Sequence, residues 1–284
     1  MIAVDQLRYV RLGTQDLAAA IDFAQRILGL QLIEQSDDTA YFRSDLRDHT
    51  LVYFRGDPAD RAVGLEIHGR EQFEAAIATL SQRGLDIVRG NETACGHRKV
   101  RALASFRDPG GNMIEIVLRP LNSGWRYFPS RDAGITGLSD VVLRASDVAA
   151  CEALWTTVFN GRVSDWVGEA AFLRFDDAHH QIAYYPSSGS GILAVEFAVE
   201  NVDLLMQNSY FLQSAQVSIV HGPGRRPTSN QLFLTFAGPD GMLFSFVSEG
   251  DRISGDKKHR PRQFPRTRSS FCSWGSESAI PEFR

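Results

Sequence analysis

The sequence predicts an α+β fold of four βαβββ units paired into two modules, and three observations predict it. The first is an internal repeat. Tyr9-Val-Arg-Leu-Gly-Thr-Gln-Asp16 matches Asp140-Val-Val-Leu-Arg-Ala-Ser-Asp147, and Phe42-Arg43-Ser-Asp45 matches Leu173-Arg174-Phe-Asp176. His49 and Tyr53 fall opposite His180 and Tyr184, all at the 131-residue offset that separates Tyr9 from Asp140. A gapless match over roughly fifty residues marks two related halves. The second observation is that each half divides again into the same strand–helix–strand pattern. The third is a stretch rich in Pro, Ser, Asn and Gly over residues 120–134, which reads as a linker between halves.

Residues 7–12 read as a strand, Asp16 as a helix N-cap, and the next residues, to about Leu30, as an amphipathic helix. Three alternating runs at 31–35, 39–44 and 50–55 read as strands. The pattern restarts at 63–68, continues in a helix over 70–83 and closes in short strands ending after Glu115. Gly110-Gly111 and Asp240-Gly241 are hairpin-turn signals. The predicted boundaries are residues 1–122 for a structural N-terminal module, 135–250 for a C-terminal module carrying the active or binding cup, and 251–284 for an extension.

Composition narrows the function. A formal charge of −4 gives no reason to expect nucleic acid or anionic lipid as a partner. No run of 18 apolar residues occurs, so no membrane span is expected. The opening Met1-Ile-Ala-Val-Asp-Gln lacks a basic stretch ahead of an apolar core, so no signal peptide is expected. Cys95, Cys151 and Cys272 are too few and too scattered for a disulfide framework or a zinc cluster, and a reducing cytoplasm is the expected home.

Several segments carry a family resemblance. They include Leu138-Ser-Asp-Val-Val-Leu143, Phe159-Asn-Gly-Arg-Val-Ser-Asp-Trp166, Phe172-Leu-Arg-Phe-Asp-Asp-Ala-His179-His180 and Gly224-Arg225-Arg226. Pro239-Asp-Gly-Met-Leu-Phe-Ser245-Phe, Arg260-Pro-Arg-Gln-Phe-Pro265 and Cys272-Ser-Trp-Gly275 continue it. With the four-unit layout, they make the chain resemble the vicinal oxygen chelate superfamily, and most closely its two-module type I extradiol dioxygenases. The resemblance implies that each module is an open eight-stranded cup. It also implies Fe(II) or Mn(II) in the second cup, held by two histidines and a glutamate that leave one face open for catecholate and O₂.

At the matching positions this chain carries Asp140, Glu196 and Ser245, with Ala194 as the alternative to Glu196 should the strand register shift by two. The first module offers Tyr9, Gly64 or Glu66, and Glu115. Two carboxylates and a hydroxyl favour harder ions over Fe(II). No cofactor is therefore expected; the alternative is Fe(II) or Mn(II), with Asp140 and Glu196 as ligands. By the same resemblance His180 is an acid/base histidine, with Asp140 and Glu196 as catalytic partners. Arg226, Thr235, Ser245 and Tyr184 are expected to contact substrate, Arg226 by holding an anionic group.

Bland readings stand beside these. His49 repeats His180 where no chemistry is expected. His179 is expected to point away from the cup. His221 reads as a solvated loop residue, and Cys272 has no partner to activate it. The basic run over 250–270 reads either as a binding patch or as a packed extension. The leading expectation is an enzyme acting on an oxygenated aromatic, or a derived enol or keto acid, by metal-independent isomerisation, hydration or hydrolysis. The alternatives are a dioxygenase with an unusual divalent metal and a non-catalytic binder of aromatic or phenolic molecules. A homo-oligomer is expected from the resemblance.

Overall fold

The computed structural model describes residues 1–254 and 259–284. In the first module β1 (Val4–Thr14) leads through Asp16 into α1 (Leu17–Asp22). The Asp16 carboxylate accepts from Ala19 N at 3.0 Å, which satisfies a donor the helix itself leaves free. The helix widens into a π-turn over Phe23–Leu28 and stops at Gly29, whose φ of 84° is left-handed. The strands β2 (Gln31–Gln35), β3 (Thr39–Arg43) and β4 (Leu51–Arg55) complete the first unit. The second contains β5 (Arg61–Ile67), α2 (Arg70–Gln82), β6 (Val88–Arg89), α3 (Glu92–Arg98), β7 (Val100–Arg107) and β8 (Met113–Pro120). The sequence reading missed α3, a short helix capped by Asn91 with no residue fully buried.

The second module repeats the plan with β9 (Ile135–Ala145), α4 (Val148–Thr157), β10 (Arg162–Val167), β11 (Ala170–Arg174) and β12 (Ile182–Pro186). It continues with β13 (Gly191–Val199), α5 (Val202–Ser214), β14 (Ile219–Arg225), β15 (Leu232–Ala237) and β16 (Leu243–Ser248). Asp147 caps α4 as Asp16 caps α1, accepting from Ala150 N at 2.9 Å. Asp240 and Gly241, with φ of 53° and 70°, make the tight turn into β16.

The sheets have one topology. The first runs β2-β3-β4-β1-β5-β8-β7-β6 and the second β14-β15-β16-β13-β9-β12-β11-β10. The second sheet departs from the expected eight strands. The extension adds β17 (Arg262–Phe264), parallel to the edge strand β10, and then α6 (Arg268–Phe271). Residues 255–258 of the basic run lie outside the described residues. The remainder of the extension packs on the second module, because β10 offers a free ladder edge and the cup offers apolar surface.

The core sits between the modules, where the helices and one face of each sheet form a single apolar cluster. Phe23 of the first unit packs on Phe244 of the last, ring centroids 5.2 Å apart. The β7–β8 turn keys into the other module: Asn112 Nδ2 donates to Arg144 O at 3.0 Å, and Gly191 N donates to Asn112 Oδ1 at 2.6 Å. The opposite, concave face of each sheet is left to form a cup. Among the described residues no helix is long and apolar enough to cross a membrane.

Candidate functional site

Strand register places the acidic residues. Asp140 on β9 lies directly opposite Glu196 on β13, and Glu196 lies beside Ser245 on β16. Glu196, not Ala194, therefore faces Asp140, and all three residues are fully buried. The same register in the first module pairs Tyr9 with Gly64 and Gly64 with Glu115. Glu66 lies farther along its strand, bonded to Gln6 and paired with Arg8.

Two carboxylates in a dry site need compensation. Arg226 supplies most of it. Its Nη1 and Nη2 grip both oxygens of Glu196 at 2.7 and 2.6 Å, while Nη1 also donates to Gln231 at 2.5 Å. A two-pronged guanidinium–carboxylate pair is the strongest ion pair available to a protein. Burial pushes the Asp140 carboxyl up, against the opposing pull of Arg226. Burial likewise pushes the Glu196 carboxyl up, against Arg226, and the neighbouring Asp140 adds to the rise. Ser139 Oγ donates to Asp140 Oδ2 at 2.7 Å. The Ser245 and Thr235 hydroxyls bond each other at 2.8 Å.

His180 stands at the end of a chain of bonds. Asp165 Oδ2 meets His179 Nε2 at 3.0 Å, and His179 Nδ1 meets His180 Nδ1 at 3.1 Å. Asp165 is also held by Arg262. The carboxylate fixes His179 with its proton on Nε2, so His180 must donate from Nδ1 and keep Nε2 bare. That bare Nε2 lies 3.5 Å from Asp140 Oδ1, and neither atom has a hydrogen-bond partner among the described residues. Burial first, then Arg226, lower the His180 imidazole to about 3, so it is neutral. A neutral histidine thus faces the buried Asp140 carboxyl.

Several sequence expectations need correction. Tyr184 does not reach the cup: it points into the core, accepting from Trp155 Nε1 at 2.8 Å and donating to Asp108 at 2.6 Å. Its strand neighbour Tyr185 faces the cup, since adjacent strand residues alternate. His179, expected to point away from the cup, is instead buried and bonded to His180, because residues 179 and 180 precede β12 in a bend where strand alternation does not apply. His221 is a buried member of β14, stacked near Phe283 and tilted against Phe233. Arg226 is already occupied by Glu196, so it is not free to hold a substrate anion.

The cup is not open. The extension folds over it, setting Phe271 and Phe283 against Tyr185 with ring centroids 6.3 and 5.3 Å away. Glu282 anchors this cover through Arg144 Nε at 2.6 Å. What remains is a cavity of about 10 Å³ between Phe172, Tyr185, His221, Arg226, Thr235 and Phe283, room for roughly one water. A separate polar groove of about 250 Å³ reaches His179 and His180 from outside, beside Ser139, Gln231 and Asp251. Sequence reasoning missed Asp165, Tyr185 and the aromatic cover. The signals available were the Phe159–Trp166 segment for Asp165 and strand alternation beside Tyr184 for Tyr185.

Two modules of paired βαβββ units, each with a cup on its concave face, define the class, and the chain belongs to the Glyoxalase/Bleomycin resistance protein/Dioxygenase superfamily. That family's model matches residues 6–116 and 137–246. Among curated relatives, the 1,2-dihydroxynaphthalene dioxygenase of Sphingobium xenophagum is 26% identical over 270 residues, covering 87% of this chain and 89% of that one. The iron-dependent extradiol dioxygenase of Rhodococcus jostii is 25% identical, covering 98% and 99%. In fold, the chain matches homoprotocatechuate 2,3-dioxygenase from Arthrobacter globiformis with a TM-score of 0.88 at 21% identity, over 99% and 90% of the two chains. It also matches the Mn(II)-bound glyoxalase from Novosphingobium aromaticivorans with a TM-score of 0.88 at 23% identity, over 100% and 94%.

The donor set present here does not fit such a metal. Both Glu196 oxygens are engaged by a buried guanidinium, and the Ser245 hydroxyl by Thr235. A divalent ion between Asp140 and Glu196 would sit against the Arg226 charge, with His180 as its one neighbouring imidazole where the family resemblance implies two as ligands.

Proposed function

We propose that the chain is an extradiol-dioxygenase-like enzyme that acts on an oxygenated aromatic, or a derived enol or keto acid, by proton transfer without a metal. The observation that supports this reading is the Arg226–Glu196 pair, a cation built into the place where the family resemblance puts the metal. The bare Nε2 of His180 is the proton acceptor. The Asp140 carboxyl, 3.5 Å away, is the proton donor. A phenolic or enolic hydroxyl gives its proton to His180 while Asp140 returns one to carbon or oxygen, an isomerase- or hydratase-type exchange. His179 and Asp165 hold the tautomer that keeps Nε2 bare.

In the closed cup His180 is a weak base, chiefly because it is dry. Displacement of the Phe271 and Phe283 cover admits both substrate and water and raises its basicity. Turnover on this reading therefore begins with movement of the extension.

A second reading is favoured by the two partnerless atoms Asp140 Oδ1 and His180 Nε2, which face each other and could share a divalent ion. It requires Arg226 to release Glu196. Anaerobic loading with Fe(II) or Mn(II), followed by metal analysis and O₂ uptake with catechols, separates the two. On the metal-free reading the loaded protein retains no stoichiometric metal, and phenol binding is weakened in His180→Ala. One retained ion per chain with catechol-dependent O₂ uptake overturns it. Binding of an enolic or phenolic ligand without exchange of any carbon-bound substrate proton for deuterium would make the protein a binder rather than an enzyme.

A further inference from the structure

The first cup carries a site of its own, independent of the reading given to the second. Its floor is closed by α3, whose Ala94 and Cys95 pack with Tyr9, Leu103 and Val117. Above that floor lies a groove of about 280 Å³. Arg11, Arg61, Arg98 and Arg107 line it, with Phe54 and Met113 as apolar wall. Two acids, Asp60 and Glu115, complete the charged lining.

The four arginines are not equivalent. Arg98 is neutralised by Glu115, with Nη2 to Oε1 at 2.6 Å and Nε to the same oxygen at 3.1 Å. Arg61 spends its bonds on the carbonyls of Pro58, Ile192 and Asp240. Arg107 donates to Gly111 O at 2.8 Å, on the exposed lip. Arg11 is 7% exposed, yet among the described residues its guanidinium makes one hydrogen bond, a limiting 3.5 Å contact with His97 O. Its guanidinium lies 4.9 Å from the centroid of the Phe54 ring. Among the described residues no carboxylate pairs with it. A buried guanidinium held by so little is costly unless an anion completes it.

We propose that this groove binds a small carboxylate with an apolar, ring-sized body, the carboxylate meeting Arg11 under the field of Arg61 and Arg107, and the body lying on Phe54 and Met113. Planar guanidinium forks match carboxylates in two-pronged geometry, and the size of the groove suits a molecule of that class. The repeat sharpens the assignment. The residue equivalent to Arg11 in the second module is Val142, part of that cup's apolar filling, so the charge is particular to the first cup.

Calorimetric titration of the full chain with benzoate tests this. One saturable site is expected, with Kd on the order of a millimolar or tighter. Arg11→Gln should weaken it roughly tenfold or more, the loss of a hydrogen bond to a charged group. That variant removes a buried charge near Arg98 and so should keep its fold, which circular dichroism checks. Arg107→Gln, on the lip, should weaken binding about two- to threefold. His180→Ala, in the other cup, should leave it unchanged. Absence of saturation, a Kd indifferent to Arg11→Gln, or loss of the site in His180→Ala would each overturn the proposal. So would inorganic phosphate binding as tightly as benzoate, since the apolar wall would then contribute nothing.

Discussion

The two cups share one plan and are closed by different means. In each, an arginine from the segment before the module's penultimate strand grips a buried carboxylate: Arg98 holds Glu115, and Arg226 holds Glu196. In each, a buried histidine has an Nε2 without a partner among the described residues, His49 in the first and His180 in the second. The first cup is filled from within by α3, and its lip stays open and cationic. The second is covered from outside by the C-terminal segment, and its lining is aromatic. A buried histidine with a bare nitrogen therefore belongs to the scaffold and does not by itself mark a reaction site. What sets the second cup apart is the pair of acids at Asp140 and Glu196, where the first has Tyr9 and Gly64.

The sharpest test of that contrast removes each arginine in turn. Arg226→Ala leaves Glu196 charged, dry and unpaired, and should cost about 3–5 kcal/mol in urea unfolding. Arg98→Ala should cost clearly less, because the Tyr9 hydroxyl still donates to Glu115 at 2.6 Å and the Arg98 side chain is 20% exposed, so water can take its place. Restoring apolar balance with Arg226→Met and Glu196→Met together should recover most of the loss. Equal costs for the two single variants would break the comparison.

The covers can be tested next. Phe283→Ala should cost roughly 2 kcal/mol, less than the usual 3–5 for a core phenylalanine, because the end of the tail can detach and leave no rigid cavity. The same variant should tighten phenol binding in the second cup, read by calorimetry. In the first cup, Gly64→Ala tests the packing at the counterpart of Glu196. A Cβ there would meet the Tyr9 ring at 2.5 Å, so the ring must shift and strain its bond to Glu115. Roughly 1–3 kcal/mol of destabilisation is expected in the same urea assay.

Much of this is legible in the sequence, and the parts that are not share a cause. The repeat at one offset and the capping aspartates Asp16 and Asp147 fix the unit order, because they are local signals. The facing of Asp140, Glu196 and Ser245 follows from strand periodicity once the register is known. The misread residues depend on contacts distant in sequence. Family resemblance assigns Tyr184 to a cup that its own alternation turns it away from. His221 reads as solvated because the Phe283 that buries it lies 62 residues downstream. The pairing of Arg226 with Glu196 spans 30 residues, and no periodicity announces it.

Acid should divide the modules most gently of all. Burial lowers His180 to about 3 and His179 and His221 to about 4, from an ordinary 6.5. All three lie in the second module, while His49, also lowered, is the first module's counterpart. For a histidine with a depressed folded-state value, the unfolded chain takes up a proton near 6.5 that the folded chain refuses until about 4 or below. Stability is therefore full above about pH 6.5 and is lost as pH falls toward about 4. The raised Asp140 carboxyl acts in the opposite sense, keeping a proton that the unfolded chain has released, and offsets part of the loss. The net expectation is a urea midpoint that declines between about pH 7 and pH 4.5, with a shallower decline in His221→Asn. His221 is the informative site because its bury-and-neutralise cost comes from the aromatic cover, so Phe283→Ala should flatten the same slope by letting water reach the ring. A slope unchanged in both variants would mean that the acid response arises elsewhere and that the cover does not set the second cup's protonation.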